Sequence, residues 1–290
     1  MVAGESGSGK STVLQSLVKQ FSDDDDNQLV LIDGKGGEGL GCVSGCSNIV
    51  GPLARDVEDA KAALQWTVDQ MEYRYEHEAD GQKFLDGCKR IIVVFDEPQE
   101  YTDKSLGGQD AAVVELCRAL AVKARASKIH LVMGTQSPNL SIFGHQATRK
   151  QLGQRIVGKV EAQKASEVAL GTSSPSAHNL AGEGDLYCKT ESGLIRRVQG
   201  AFVDKDVLRA KYTHPPMMSD WPVFDAEAMR PIEGFNIDEL VIGLEIAAKG
   251  QGRPALEGAA EMGSHRAKNL LRNAKELWNR LESRGFDYVG

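Results

Sequence analysis

The chain has 290 residues, with 34 Lys+Arg against 41 Asp+Glu, a formal net charge of −7. Hydrophobic residues make up 41% and charged residues 26%, the balance of a globular chain and not of a disordered one. The longest apolar runs, such as Ile91–Phe95, fall far short of the roughly 20 residues of a membrane span, and an acidic chain is at first sight a poor partner for nucleic acid.

In chain order, the start Met1-Val2-Ala3-Gly4 has no basic n-region and no apolar h-region, so no signal peptide is expected, and Met1-Val2-Ala3 gives only a stub of a first strand. Ser11–Gln20 reads as a helix, and Asp23–Asp26 as a solvated acidic loop. Gln28–Ile32 is a strand. Asp56–Glu78 is a helix, because Ala60, Leu64, Val68, Met71 and Tyr75 recur at helical spacing. Arg90–Phe95 and Ile129–Met133 are nearly continuous apolar runs, as in a parallel sheet covered on both faces. Gln109–Ala126 is the helix between them, and Arg155–Val160 is a further strand. Strand and helix alternate, so the fold class is α/β with a doubly wound sheet. Residues 213–234 hold Pro215, Pro216, Pro222 and Pro231 and read as a linker. Ile237–Lys249, Pro254–Met262 and His265–Arg284 follow as helices. The expected organisation is thus 1–212, a linker at 213–234 and a helical module at 235–290. Cys42, Cys46, Cys88, Cys117 and Cys188 lack the spacing of a zinc site, so reduced thiols and a cytoplasmic location are expected.

Gly4-Glu5-Ser6-Gly7-Ser8-Gly9-Lys10-Ser11 fits the phosphate-loop pattern G-x-x-x-x-G-K-[ST] in full, with Thr12 alongside. Glycines let the backbone N–H groups close on phosphate oxygens, and the following helix adds its positive end. Lys10 is expected to reach the β and γ phosphates of ATP, and Ser11 to ligate Mg²⁺. The run Ile91–Glu97 ends an apolar strand in Asp96-Glu97. Asp96 is expected to hold Mg²⁺, and Glu97 to activate the attacking water, a pairing that favours hydrolysis over group transfer. Ile129–Gln136 ends a third strand in Thr135-Gln136. Gln136 would face the γ-phosphate if that strand lies between the other two.

These residues resemble the FtsK/SpoIIIE family of DNA translocases, over roughly residues 2–209. Leu31-Ile32-Asp33-Gly34-Lys35, Trp66 with Met71-Glu72-Tyr73-Arg74-Tyr75, Lys123-Ala124-Arg125-Ala126, Gly134-Thr135-Gln136-Ser137-Pro138, Gly182-Glu183-Gly184-Asp185-Leu186-Tyr187 and Gly200-Ala201-Phe202-Val203 each look like a family motif. Pro98-Gln99-Glu100 departs from it, replacing the apolar residues that usually follow the Asp-Glu pair. The resemblance implies a RecA-like P-loop ATPase core with a central parallel sheet, assembled as a hexameric ring around double-stranded DNA. It also implies an arginine supplied to the neighbouring site. Arg155 is favoured for that role over Arg125.

A ring that moves along DNA should grip phosphates, not base edges. Arg149 and Lys150 are pore candidates, as are Lys83, Lys89 and Arg90. Residues 249–284 carry eight Lys/Arg against four Glu within this acidic chain. Arg266, Lys268, Arg272 and Lys275 lie off the apolar stripe of the last helix, so the segment reads as a small all-α, helix-turn-helix-like DNA-binding module. A helical bundle that mediates assembly is the other reading. The expected function is an ATP-driven translocase of double-stranded DNA. Its rivals are a phage packaging ATPase or conjugative coupling protein on single-stranded DNA, and a nucleotide-gated DNA-binding regulator.

Overall fold

The computed structural model describes residues 1–76, 82–103, 110–136, 138, 151–221, 237–260 and 264–282. Its contacts divide the chain into two units, Met1–Val223 and Phe224–Gly290.

The first unit is built on seven strands: β1 (Val2–Ala3), β2 (Asn27–Asp33), β3 (Arg90–Asp96), β4 (Ile129–Thr135), β5 (Arg155–Val157), β6 (Asp185–Lys189) and β7 (Ile195–Gln199). Their order across the sheet is β2-β3-β4-β1-β5-β6-β7. Strands β1 to β5 run parallel, while β6 and β7 extend the sheet antiparallel. The parallel core agrees with expectation, and β4 lies between β1 and β3, the condition set for Gln136 to face the γ-phosphate. The register carries the functional consequence. Asp33 pairs with Asp96, Asp96 with Gly134, and Gly134 with Val2. The strand ends therefore form one edge, from which the 4–12 loop springs.

Alternate residues of β2 and β3 feed opposite faces. Val30, Ile32, Ile91, Val93 and Phe95 join one core with Leu64 and Met71 of helix α2 (Val57–Glu76) and with Val113 and Leu120 of a later helix. Leu29, Leu31, Ile92 and Val94 join the other core with Leu14 and Val18 of helix α1 (Lys10–Ser22). Each such fully buried side chain contributes about 1.5–3 kcal/mol. This double burial is why the strands read as unbroken apolar runs. Further helices of this unit among the described residues are α3 (Gln82–Gly87), α4 (Gln99–Thr102), α5 (Ala111–Lys123, which supplies Val113 and Leu120), α6 (Gln163–Leu170) and α7 (Lys205–Lys211).

Two stretches differ from the sequence reading. Strand β5 ends at Val157 and not at Val160, because the chain turns away to back the 4–12 loop; the Lys159 carbonyl accepts the Glu5 N–H at 2.8 Å. Residues 213–221, read as linker, lie along the first unit. The N–H groups of His214, Met217 and Met218 donate to the carbonyls of Gly45, Ile49 and Val50 at 3.0, 2.8 and 2.7 Å. The Trp221 ring sits 5.6 Å from that of Trp66.

In the second unit, α8 (Ile237–Ala248), α9 (Arg253–Ala260) and α10 (Ser264–Glu282) surround a small core of Ile246, Leu256, Ala267, Leu270 and Leu271.

Candidate functional site

The 4–12 loop is held in shape before any ligand is considered. Gly7 and Gly9 have φ 79 and 94, in the left-handed region that suits glycine. The Ser8 N–H donates to the Glu5 carbonyl at 3.1 Å, closing the turn. From behind, the Glu183 and Gly184 N–H groups each donate at 3.0 Å, to the carbonyls of Gly7 and Ser8. This gives the Gly182–Asp185 motif its physical role as a buttress. Helix α1 then begins at Lys10, with its first-turn N–H groups at the loop. Ser11 and Thr12 occupy that first turn, half-buried.

Lys10 is buried, and its ammonium bonds Asp96 Oδ1 and lies 3.1 Å from Glu97 Oε1. The two motifs, far apart in sequence, thus meet at one cation. Glu97 gathers further partners. Its Oε2 accepts the side-chain N–H of Gln99 and, at 3.1 Å, the main-chain N–H of Gln136. The Lys35 ammonium stands 3.5 Å from Oε1. Glu97 has φ 54, in a region costing a non-glycine residue about 1–2 kcal/mol. Gly134 lies beside this group, and a Cβ there would come within 2.6 Å of Asp96 Oδ1, so the carboxylate lies across a position that must lack a side chain.

The two carboxylates are pushed apart electrostatically. Burial is the largest influence on both and disfavours the charged form. For Asp96 it prevails over Lys10, and the pKa is raised. For Glu97 the Lys10 charge and the donors from Gln99 and Gln136 outweigh burial, and the pKa is lowered. Asp33 completes the edge. Its carboxylate accepts the N–H groups of Lys35, Gly39 and Leu40, each at 2.9 Å, and so shapes the turn that carries Lys35.

Of the sequence-derived site residues, the structure brings together the loop 4–12, Asp96, Glu97 and the main chain of Gln136. It does not bring Arg155 among them. Arg155 opens β5, the neighbour of β1, at the end of that strand away from the phosphate loop, and is buried. Its guanidinium donates to the carbonyls of Leu152, Val168 and Ala169 at 3.2, 3.3 and 2.8 Å, capping the C-terminal end of α6. Arg125 is the exposed one of the pair, 3.1 Å from Glu191. Arg149 and Lys150 lie outside the described residues. Lys268, Arg272 and Lys275 are exposed along α10, whereas Arg266 pairs with Glu239 through two bonds of 3.1 and 2.9 Å. Gln99, Lys35 and Asp33 were not assigned roles from sequence. Gln99 stands where the family pattern has an apolar residue, which was the available signal.

The strand order, the loop after β1, and an acid pair at the end of β3, separated from β1 by β4, define a RecA-like P-loop ATPase core. Within that class the chain is similar to the FtsK/SpoIIIE family, whose model matches residues 1–88. Curated relatives include the DNA translocase FtsK of Streptomyces avermitilis, 26% identical across 98% of this chain and 34% of that protein. The DNA translocase FtsK of Pseudomonas putida is 28% identical across 86% of this chain and 32% of that protein. The chain therefore spans about a third of the length of these relatives. Among solved structures, the pCW3 conjugation coupling protein TcpA, in a monomer form with ATPγS, aligns with TM-score 0.58 and 25% identity, over 71% of this chain and 61% of its own. The cytoplasmic domain of the type VII secretion ATPase EccC of Thermomonospora curvata shares the fold, with TM-score 0.57 and 21% identity, over 79% and 30% of the two chains.

Proposed function

We propose that this chain is the motor part of a translocase that hydrolyses ATP to move double-stranded DNA, working as a hexameric ring in the cytoplasm. The observation that carries the reading is the contact of Lys10 with both Asp96 and Glu97 at the mouth of the phosphate loop. A triphosphate entering the loop offers Lys10 a stronger partner than either carboxylate. Lys10 then binds the β and γ phosphates, and Glu97 is released from its ion pair. Glu97 takes a proton from water, whose oxygen bonds to the γ-phosphorus. The bond to the β–γ bridging oxygen breaks, its electron pair leaves with ADP, and inorganic phosphate is the other product. The Ser11 hydroxyl and the Asp96 carboxylate are oxygen donors suited to a hard divalent cation. They would hold Mg²⁺, which when bound neutralises charge on the β and γ phosphates. Gln136, whose main chain touches Glu97, links this event to β4.

DNA is the expected track because the chain resembles DNA translocases over most of its length. Exposed Lys268, Arg272 and Lys275 supply phosphate contacts in the second unit, with Arg149 and Lys150 as pore contacts. ATPase assays with and without duplex DNA test the proposal; failure of every DNA to stimulate hydrolysis would sink it. Glu97→Gln is expected to bind ATP normally and lower the turnover rate about 10²–10⁴-fold. A mass measurement with ATP analogue and duplex DNA should find a ring, and a monomer under all conditions would refute one. The likeness to a conjugation coupling protein favours a second reading, transfer of single-stranded DNA. Stronger stimulation by single strands than by duplex would select it.

A further inference from the structure

Glu97 has two carboxylate oxygens, and the structure treats them differently. Oε2 is held by two N–H donors, the Gln99 side chain and the Gln136 main chain, which come from α4 and from the end of β4. Oε1 has no hydrogen-bond partner of good geometry among the described residues. Among the described residues the ammonium groups of Lys10 and Lys35 stand near it, at 3.1 and 3.5 Å. A polyanion would compete for both lysines, whereas the two N–H donors belong to α4 and to the main chain at the end of β4. Gln99 is itself buried, and α4 is anchored by the buried Tyr101, whose ring lies 6.0 Å from that of Phe95 and whose carbonyl accepts the Asp110 N–H at 2.9 Å.

From this asymmetry we infer that Gln99 is a positioning residue that locks Glu97 with Oε1, not Oε2, as the oxygen that receives the proton from water. The inference rests on the ATPase reading above and deepens it. A carboxylate held by one oxygen at two points cannot rotate, so the reacting oxygen is presented in one place. An apolar residue at position 99 leaves Gln136 as the single fixed donor, and the carboxylate can then swing about its terminal bond.

The test is Gln99→Met, which preserves length and removes the donor, beside Gln99→Asn, which keeps an amide too short to reach. Both should lower kcat about 10-fold or more while ATPγS affinity and thermal midpoint stay close to those of the parent. In a Glu97→Gln background, Gln99→Met should change the residual rate less than twofold, because the group it positions is already gone. A Gln99→Met enzyme with parental kcat would overturn the inference. So would an equal loss in the presence and absence of Glu97, which marks a structural effect. A parent protein that binds ATPγS but never hydrolyses ATP would instead refute the ATPase reading, and the inference would fall with it.

Discussion

Arg74 offers the sharpest separation of stability from chemistry. It lies near the end of α2, buried, and its guanidinium donates to the Ser127 carbonyl at 2.7 Å and the Lys89 carbonyl at 2.9 Å. Those carbonyls lie within two residues of the starts of β4 and β3, at the opposite end of the strands from the phosphate loop. Arg74 thus staples the long helix to two central strands. Arg74→Leu retains much of the apolar stem and removes both donors. Each orphaned acceptor costs about 1–3 kcal/mol, so a loss of about 3 kcal/mol is expected after partial access of water. For a unit of this size that corresponds to roughly 6–12 °C in thermal midpoint. Urea unfolding and a thermal melt measure it directly, and ATPγS affinity, measured below the melt, should be unchanged. A fall of less than about 2 °C would show that the staple is not holding α2. A large loss of nucleotide affinity in folded protein would show that the residue acts on the site after all.

Lys10→Met should abolish ATPγS binding, and retention of parental affinity in a binding titration would contradict the role given to the ammonium. Asp33→Ala strips three backbone N–H groups of their acceptor and should cost about 2–4 kcal/mol by urea unfolding. The Asp185 carboxyl is held down to about 2, by hydrogen bonds first from Arg197 and then from the Ala181 N–H. A depressed folded-state pKa contributes stability above the ordinary value of 3.8 that is lost as pH falls towards 2. Urea midpoints should therefore drop more steeply over that window for the parent than for Asp185→Asn. Burial pushes the Cys117 thiol up to about 12 and the Cys46 thiol to about 11. A thiol reagent at neutral pH should leave both unmodified in folded protein, as read by peptide mass, and label them after denaturation.

The site was legible where its chemistry is local. The phosphate loop announces itself through glycine, lysine and serine at fixed spacing, and β3 through an apolar run that stops at two acids. The place of β4 between β1 and β3 entered the sequence reading only as a condition, and the sheet order meets it. The antiparallel hairpin β6–β7 was not read as strands, because β7 is exposed along most of its length and carries Arg196 and Arg197 where an apolar alternation would be needed. The contacts of Arg155 were not legible, because a basic residue opening a strand looks the same whether it faces a neighbour or caps a helix, and α6 comes beside it only in the fold. Arg74 was visible as part of a motif, yet its work depends on two carbonyls distant in sequence. Gln99 was visible only as a departure, and its role depends on the left-handed turn at Glu97.

The buttress behind the phosphate loop has one more consequence. Fixing a flexible residue costs about 1–2 kcal/mol of backbone entropy. In this chain the carbonyls of Gly7 and Ser8 are already engaged by the turn before β6. Much of the loop's freedom has therefore been surrendered during folding, and an incoming anion meets a preformed cradle. Phosphate affinity is accordingly a property of two distant stretches of sequence. A lesion in the Gly182–Gly184 turn would register as a weaker grip on nucleotide, although it removes no group that touches one.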